Sequence, residues 1–120
     1  MRAPSDWIAV TREEREAVGY LEPVTEDYDV VQPRTLLGHR AGDPTDIESG
    51  EERLRERGIG ELAELWVLDA GTPAHVRSLA ILEVSPEGIV VADALATKAL
   101  AGAERLTVLW PDVEERLTRQ

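Results

Sequence analysis

The stretch His75–Ala92 constrains the fold more than any other part of the chain. His75 to Val84 is rich in β-formers and poor in charge, and Ile89-Val90-Val91-Ala92 is a second apolar run. Between them lies Ser85-Pro86-Glu87-Gly88, with proline at the second turn position and glycine at the fourth. Two such runs around such a turn predict an antiparallel hairpin. An isolated hairpin is marginal in water, so the rest of the chain must extend or cover it.

Further strands are readable on both sides. Trp7–Thr11 and Ala17–Leu21 are short β-type runs separated by the charged turn 12–16, and they predict a second hairpin stopped by Pro23. Tyr28–Val31 reads as a strand limited by Pro33, because proline cannot donate to a ladder. Arg34–Leu37, Trp66–Leu68 and Leu106–Trp110 read as further short strands, the last ended by Pro111. Residues 93–105 are ambiguous: Ala94–Ala101 has helix propensity but follows a strand, and the reading adopted is a strand extension with a loop at Gly102. Asp112 is positioned to cap a short terminal helix through Leu117, with a frayed tail as the alternative.

Gly38 to Pro44 is a loop, with two glycines and a proline in seven residues. It leads to the clearest helix signal, a capping box of Thr45 and Glu48, followed by a charged run to Arg57 and a terminating Gly58. Glu51 and Arg55 are spaced as an i,i+4 ion pair. Only Ile47 and Leu54 are strongly apolar, so the helix should lie on the surface over a narrow buried stripe. Ile59, Leu62, Ala63 and Trp66 have helical spacing and suggest a second short helix over 60–65.

Together these elements predict an α+β fold: a mainly antiparallel, strongly curved sheet or small open barrel of six or seven strands with one or two short helices. The expected core is Ile8, Val10, Val18, Leu21, Val31, Leu37, Leu54, Leu62, Trp66, Leu79, Ile81, Val84, Val90, Val108 and Trp110. The length of 120 residues implies a single domain over 1–120, and 42% hydrophobic residues suffice for a core without a staple. With no cysteine, thiolate chemistry, iron–sulfur clusters and disulfides are excluded. No run approaches the roughly 20 apolar residues of a membrane span. Met1–Asp6 leads into a mixed segment rather than an apolar signal core, so a cytoplasmic location is expected. Lys98 is the only lysine, and the preference for arginine looks like that of a high-GC bacterial genome.

Net charge is −11. Such a charge repels a phosphate backbone and an anionic bilayer, so neither nucleic acid nor membrane is expected as a partner. A basic protein surface is physically allowed; the plainer reading is that acid keeps a small protein soluble. The acid is lopsided: residues 1–30 carry net −5 and residues 61–90 net −4, the latter with Arg77 as the only base. Should these quarters form neighbouring strands, one sheet face would be strongly negative.

Chemistry-bearing patterns are weak. The two histidines are His39 and His75. His39 lies near Asp43 and Asp46 in a loop before a helix, a set able in principle to hold a divalent metal or an acid–base pair. The spacing fits no established metal motif, and helix electrostatics and turn formation explain the two aspartates equally well. His75 reads as a strand-edge residue. No phosphate-binding glycine loop, nucleophile elbow or calcium-loop pattern is present. No catalytic, cofactor or metal ligand is therefore assigned, and His39, Asp43 and Asp46 stand as a candidate loop. Tryptophans 66 and 110 are expected in the core, while Trp7 is divided between core and partner anchor.

The runs Val18–Pro23, Leu36–His39 and Asp43–Asp46, with Leu62-Ala63, Trp66 and Val84-Ser85-Pro86, resemble those of small actinobacterial proteins. The resemblance implies no activity, cofactor or catalytic residue. The leading expectation is a non-enzymatic acidic binding or accessory module for another protein with a basic surface. Alternatives are an immunity- or antitoxin-like inhibitor of a basic protein, and a small enzyme or metal binder using His39, Asp43 and Asp46. A homodimer through paired sheet edges is also open.

Overall fold

The computed structural model describes residues 6–13, 16–98 and 104–120. The elements in chain order are β1 (Ile8–Arg12), β2 (Glu16–Pro23), β3 (Val31–Arg34), α1 (Ile47–Arg57), a 3-10 helix at Gly60–Ala63, β4 (Trp66–Leu68), β5 (Val76–Ser85), β6 (Gly88–Asp93), α2 (Ala94–Lys98), β7 (Arg105–Val108) and β8 (Leu117–Arg119). The chain divides into two compact units, Met1–Ile59 and Gly60–Gln120. Each contains one antiparallel sheet, ordered β1-β2-β3 and β7-β6-β5-β4-β8. The α+β class is as expected. The expected single curved sheet or open barrel is not: among the described residues the eight strands fall into two sheets, and no barrel closes. Residues 1–30 and 61–90 accordingly belong to different sheets, so their acid does not share one sheet face.

In the first unit the predicted β1–β2 hairpin forms, with Ile8 opposite Leu21 and Arg12 opposite Glu16. The strand expected at Tyr28–Val31 lies three residues later, at Val31–Arg34. Pro33 is inside it, opposite Leu21, rather than at its limit. The reason lies in the direction of its backbone. The Pro33 carbonyl accepts from the Ala41 amide at 2.9 Å, so its missing N–H points to the same outer edge, where pairing is only partial. The segment 40–45 runs along that edge through bridges of Arg34 to Arg40 and Val31 to Thr45. Residues 35–38 are a turn instead of the short strand expected at 34–37.

Helix α1 covers this sheet. Its cap is Asp46 rather than Thr45: the Asp46 carboxylate accepts from the Ser49 amide at 3.1 Å. Gly58 follows the last turn with φ 66° and its amide donates to the Leu54 carbonyl. Leu54 is fully buried among Val10, Val18, Leu21, Val31 and Ala41, and Ile47 packs at the border, as the sparse apolar stripe implied. Two glycines set the helix-to-sheet distance. A β-carbon on Gly19 would lie 2.4 Å from the Arg34 carbonyl oxygen and 2.9 Å from Leu54. One on Gly50 would lie 2.8 Å from Leu21. The Glu51–Arg55 pair forms at 3.7 Å on the exposed face, where it contributes little.

In the second unit β5 and β6 form the hairpin read from the sequence, with Ser85 opposite Gly88. The inward phase of β6 differs from expectation. Ile89 and Val91 are fully buried and Val90 is half-buried, because Ile89 faces Val84 and the β5 register shifts between Ile81 and Glu83. Ile81, Val84, Leu62 and Trp110, and Ile8 in the first unit, are likewise only half-buried, whereas Trp7, Ile89, Val91 and Leu117 join the core. The expected strand extension after residue 93 is instead α2, because the Asp93 carboxylate accepts from the Ala96 amide at 2.9 Å and caps it. The Gly102 loop and the centre of the 12–16 turn lie outside the described residues. The helix expected over 60–65 is shortened to the 3-10 turn. The helix expected after Asp112 is replaced by β8, which pairs with β4. Asp112 is buried and accepts from the Arg116 and Leu117 amides, turning the chain into that strand. Among the described residues no helix is long and apolar enough to cross a membrane.

Gly19→Ala should destabilise the fold by about 1–3 kcal/mol, since the new methyl meets backbone rather than a yielding side chain. Gly60→Ala, with nothing within 4 Å of the new atom, should stay within about 0.5 kcal/mol. Urea denaturation checks the contrast; equal losses in the two variants would contradict it.

Candidate functional site

The three residues singled out in the 38–46 loop have separate attachments. Gly38 turns the chain with φ 94°, and the Thr35 hydroxyl accepts from the amides of Leu37 and His39. His39 is half-buried, and its carbonyl accepts from the Thr35 amide at 2.8 Å. Asp43 is exposed, and its carbonyl accepts from Arg53 of α1 at 2.8 Å. Asp46 is spent on the helix cap, and the Ser49 amide holds its carboxyl below the usual aspartate range. Among the described residues no group of three or more His, Cys, Asp or Glu side chains is gathered to hold a metal ion.

A denser chemical feature lies where a strand was expected. Residues 24–30 connect β2 to β3 as an ordered loop. Its base is closed by the Val24 amide, which donates to the Val30 carbonyl at 2.9 Å. Inside it the Thr25 hydroxyl donates to Asp27 at 2.7 Å and accepts from the Val30 amide at 3.2 Å. Asp27 also accepts from the Asp29 amide at 3.1 Å. Tyr28 takes the left-handed conformation, φ 63°, and its amide donates to the Thr25 carbonyl. That conformation is uncommon for a bulky residue, and it breaks the strand anticipated here.

The loop exposes Glu26, Asp27 and Asp29 within four consecutive residues. Among the described residues none of these carboxylates is paired with a base. Other acids of the chain are paired: Glu16 with Arg12, Glu22 with Arg34, Glu51 with Arg55, Glu64 with Arg119 and Asp69 with Arg116. The three loop carboxylates surround Tyr28, 36% exposed, and Val24, 47% exposed. The hydrogen bond from Thr25, then that from the Asp29 amide, holds the Asp27 carboxyl below the usual aspartate range. Threonine and aspartate at 25, 27 and 29 are turn formers, and that spacing was the sequence signal for a loop.

The loop is rooted on a buried ion pair. Arg34 of β3 donates through Nε and Nη2 to Glu22 of β2, at 3.2 and 2.9 Å, and through Nη1 to the Gly38 carbonyl at 2.9 Å. Its guanidinium lies 5.4 Å from the centre of the Trp7 ring. Tyr20 stands beside Trp7 with ring centroids 6.0 Å apart, and partial burial pushes its hydroxyl pKa up. Trp7 thus belongs to the core. The two strands that carry the loop are locked side by side beneath it.

No family model, curated protein or solved structure matches the chain.

Asp27 should titrate below an unperturbed aspartate, and Thr25→Ala should raise its midpoint toward the ordinary value. The sign follows from the depressed folded-state pKa: the contribution is present above the unfolded value and is lost as pH falls through the folded one. Carboxyl-carbon NMR titration of both proteins measures it; identical midpoints would refute the assignment of the shift to Thr25.

Proposed function

We propose that the chain is an acidic binding module whose β2–β3 loop receives the basic surface of another protein. One observation carries the reading: three exposed carboxylates, without an ion pair among the described residues, sit on a hydrogen-bonded loop around an exposed tyrosine. A charged surface of this kind steers encounter with a complementary partner. Tyrosine combines a large apolar body with a polar tip and is enriched among residues that anchor interfaces. A loop ordered before binding loses less entropy on association than a mobile one. Of the seven acids among the described residues up to 30, only Glu16 and Glu22 lie in strands.

The test uses Glu26→Gln/Asp29→Asn, which removes charge but leaves the Asp27 hydrogen bonds. Partners captured by the wild-type chain from its own cells at low ionic strength should be lost with this variant, and also at high ionic strength. Tyr28→Ala should weaken capture by about tenfold or more, as loss of an anchoring aromatic does. Retention of the same proteins by all three chains, or of none by the wild type, would overturn the proposal.

A further inference from the structure

The second unit contains the opposite electrostatic feature. In β5, Val76 lies opposite Leu68 and Leu79 opposite Trp66, so Arg77 and Ser78 together face the single residue Val67 of β4. This is a β-bulge, a device that re-aims a side chain next to a site. Ser78 is in the left-handed conformation, φ 57°. Its amide, released from the ladder, donates to the Gln120 side-chain oxygen at 2.6 Å. The Gln120 amide in turn donates to the Leu65 carbonyl. On the other side of β4, Thr118 of β8 pairs with the same Val67. The bulge therefore brings Arg77, Thr118 and Gln120 together around one point of the sheet.

They line an open groove of about 490 Å³ whose wall also includes Thr72, His75 and Arg119. None of the residues lining it is acidic, although the chain has 24 acids against 13 lysines and arginines. Arg77 makes no ion pair among the described residues. Arg119 shares one guanidinium nitrogen with Glu64 at 3.1 Å. The Gln120 side-chain oxygen is engaged with Ser78, which leaves its NH₂ as a donor. His75 Nδ1 donates to the Thr72 carbonyl at 2.9 Å, which leaves Nε2 on the opposite edge of the ring. The groove thus offers guanidinium, hydroxyl and amide donors, with Glu64 engaging one nitrogen of Arg119.

We propose that this groove binds the phosphate group of a small molecule. A phosphate monoester carries nearly two negative charges and three acceptor oxygens, which match two arginines and the flanking hydroxyl and amide donors. Net charge opposes a long polyanion more than a small anion, because distant charges are screened beyond roughly 10 Å at moderate salt. The site lies in the second unit and is independent of the acidic loop.

Amide-resolved NMR titration with inorganic phosphate tests it, with acetate at matched ionic strength in parallel. Phosphate should shift the Arg77, Ser78, Thr118 and Gln120 amides saturably, and acetate should not. Arg77→Gln, which keeps the bulge, should raise the dissociation constant about tenfold or more. Arg119→Gln provides a second variant with the same expectation, and the dispersion of the same spectra reports that each is folded. Absence of saturable shifts, equal shifts with acetate, or unchanged affinity in both folded variants would overturn the proposal.

Discussion

The first unit depends on Arg34. A buried guanidinium is costly unless its hydrogens are satisfied, and here all three nitrogens are bonded, two to Glu22 and one to the Gly38 carbonyl. Those bonds join β2, β3 and the turn that follows β3, while Trp7 packs beside the charge. Gln32 acts similarly two pairs along the ladder: buried, it donates to the carbonyls of Pro33 and Gly42 and holds the 40–45 segment against the edge. All four residues of β3 are buried although only Val31 is an aliphatic β-former. The strand is thus specified by polar side chains that each find partners, a network in which removing one member strands the others.

The sheet so fixed determines what can cover it. Gly19 and Gly50 leave room for α1 to approach closely enough for Leu54 to reach the core. The same frame holds both ends of the 24–30 loop, since Pro23 and Val31 are opposed in the β2–β3 ladder. The conformation of the acidic loop is in this sense set by the Arg34 network and by the Thr25–Asp27 bonds within the loop.

Features governed by local chemistry were legible in the sequence. The β5–β6 hairpin follows from its proline–glycine turn, and α1 follows from its acidic first turn, arginine-rich last turn and Gly58. Features governed by distant partners were not. Nothing near Pro33 announces that its donor-less side faces a partly paired edge. Nothing near Asp112 shows that Leu117–Arg119 will find β4. The phase of β6 was misread because a register shift in β5 decides which residues point inward. Of the candidate loop, the turn role of Asp43 and the helix-end position of Asp46 were readable but the cap was placed on Thr45 instead of Asp46, while the acidic loop was hidden by taking Tyr28–Val31 as a strand. The cationic groove was beyond reach, since Arg77, Thr118 and Gln120 meet only through the order β5-β4-β8.

Both units are acidic, and they differ locally: the β2–β3 loop carries carboxylates that are unpaired among the described residues, and the groove on the second sheet is lined by no acidic residue. The central claim is that the acidic loop is held in one conformation before any partner arrives. Backbone ¹⁵N relaxation across residues 22–32 tests this directly. Order parameters for 24–30 near those of the flanking strands, about 0.85, are predicted; values below about 0.6 would show a mobile loop and contradict the account.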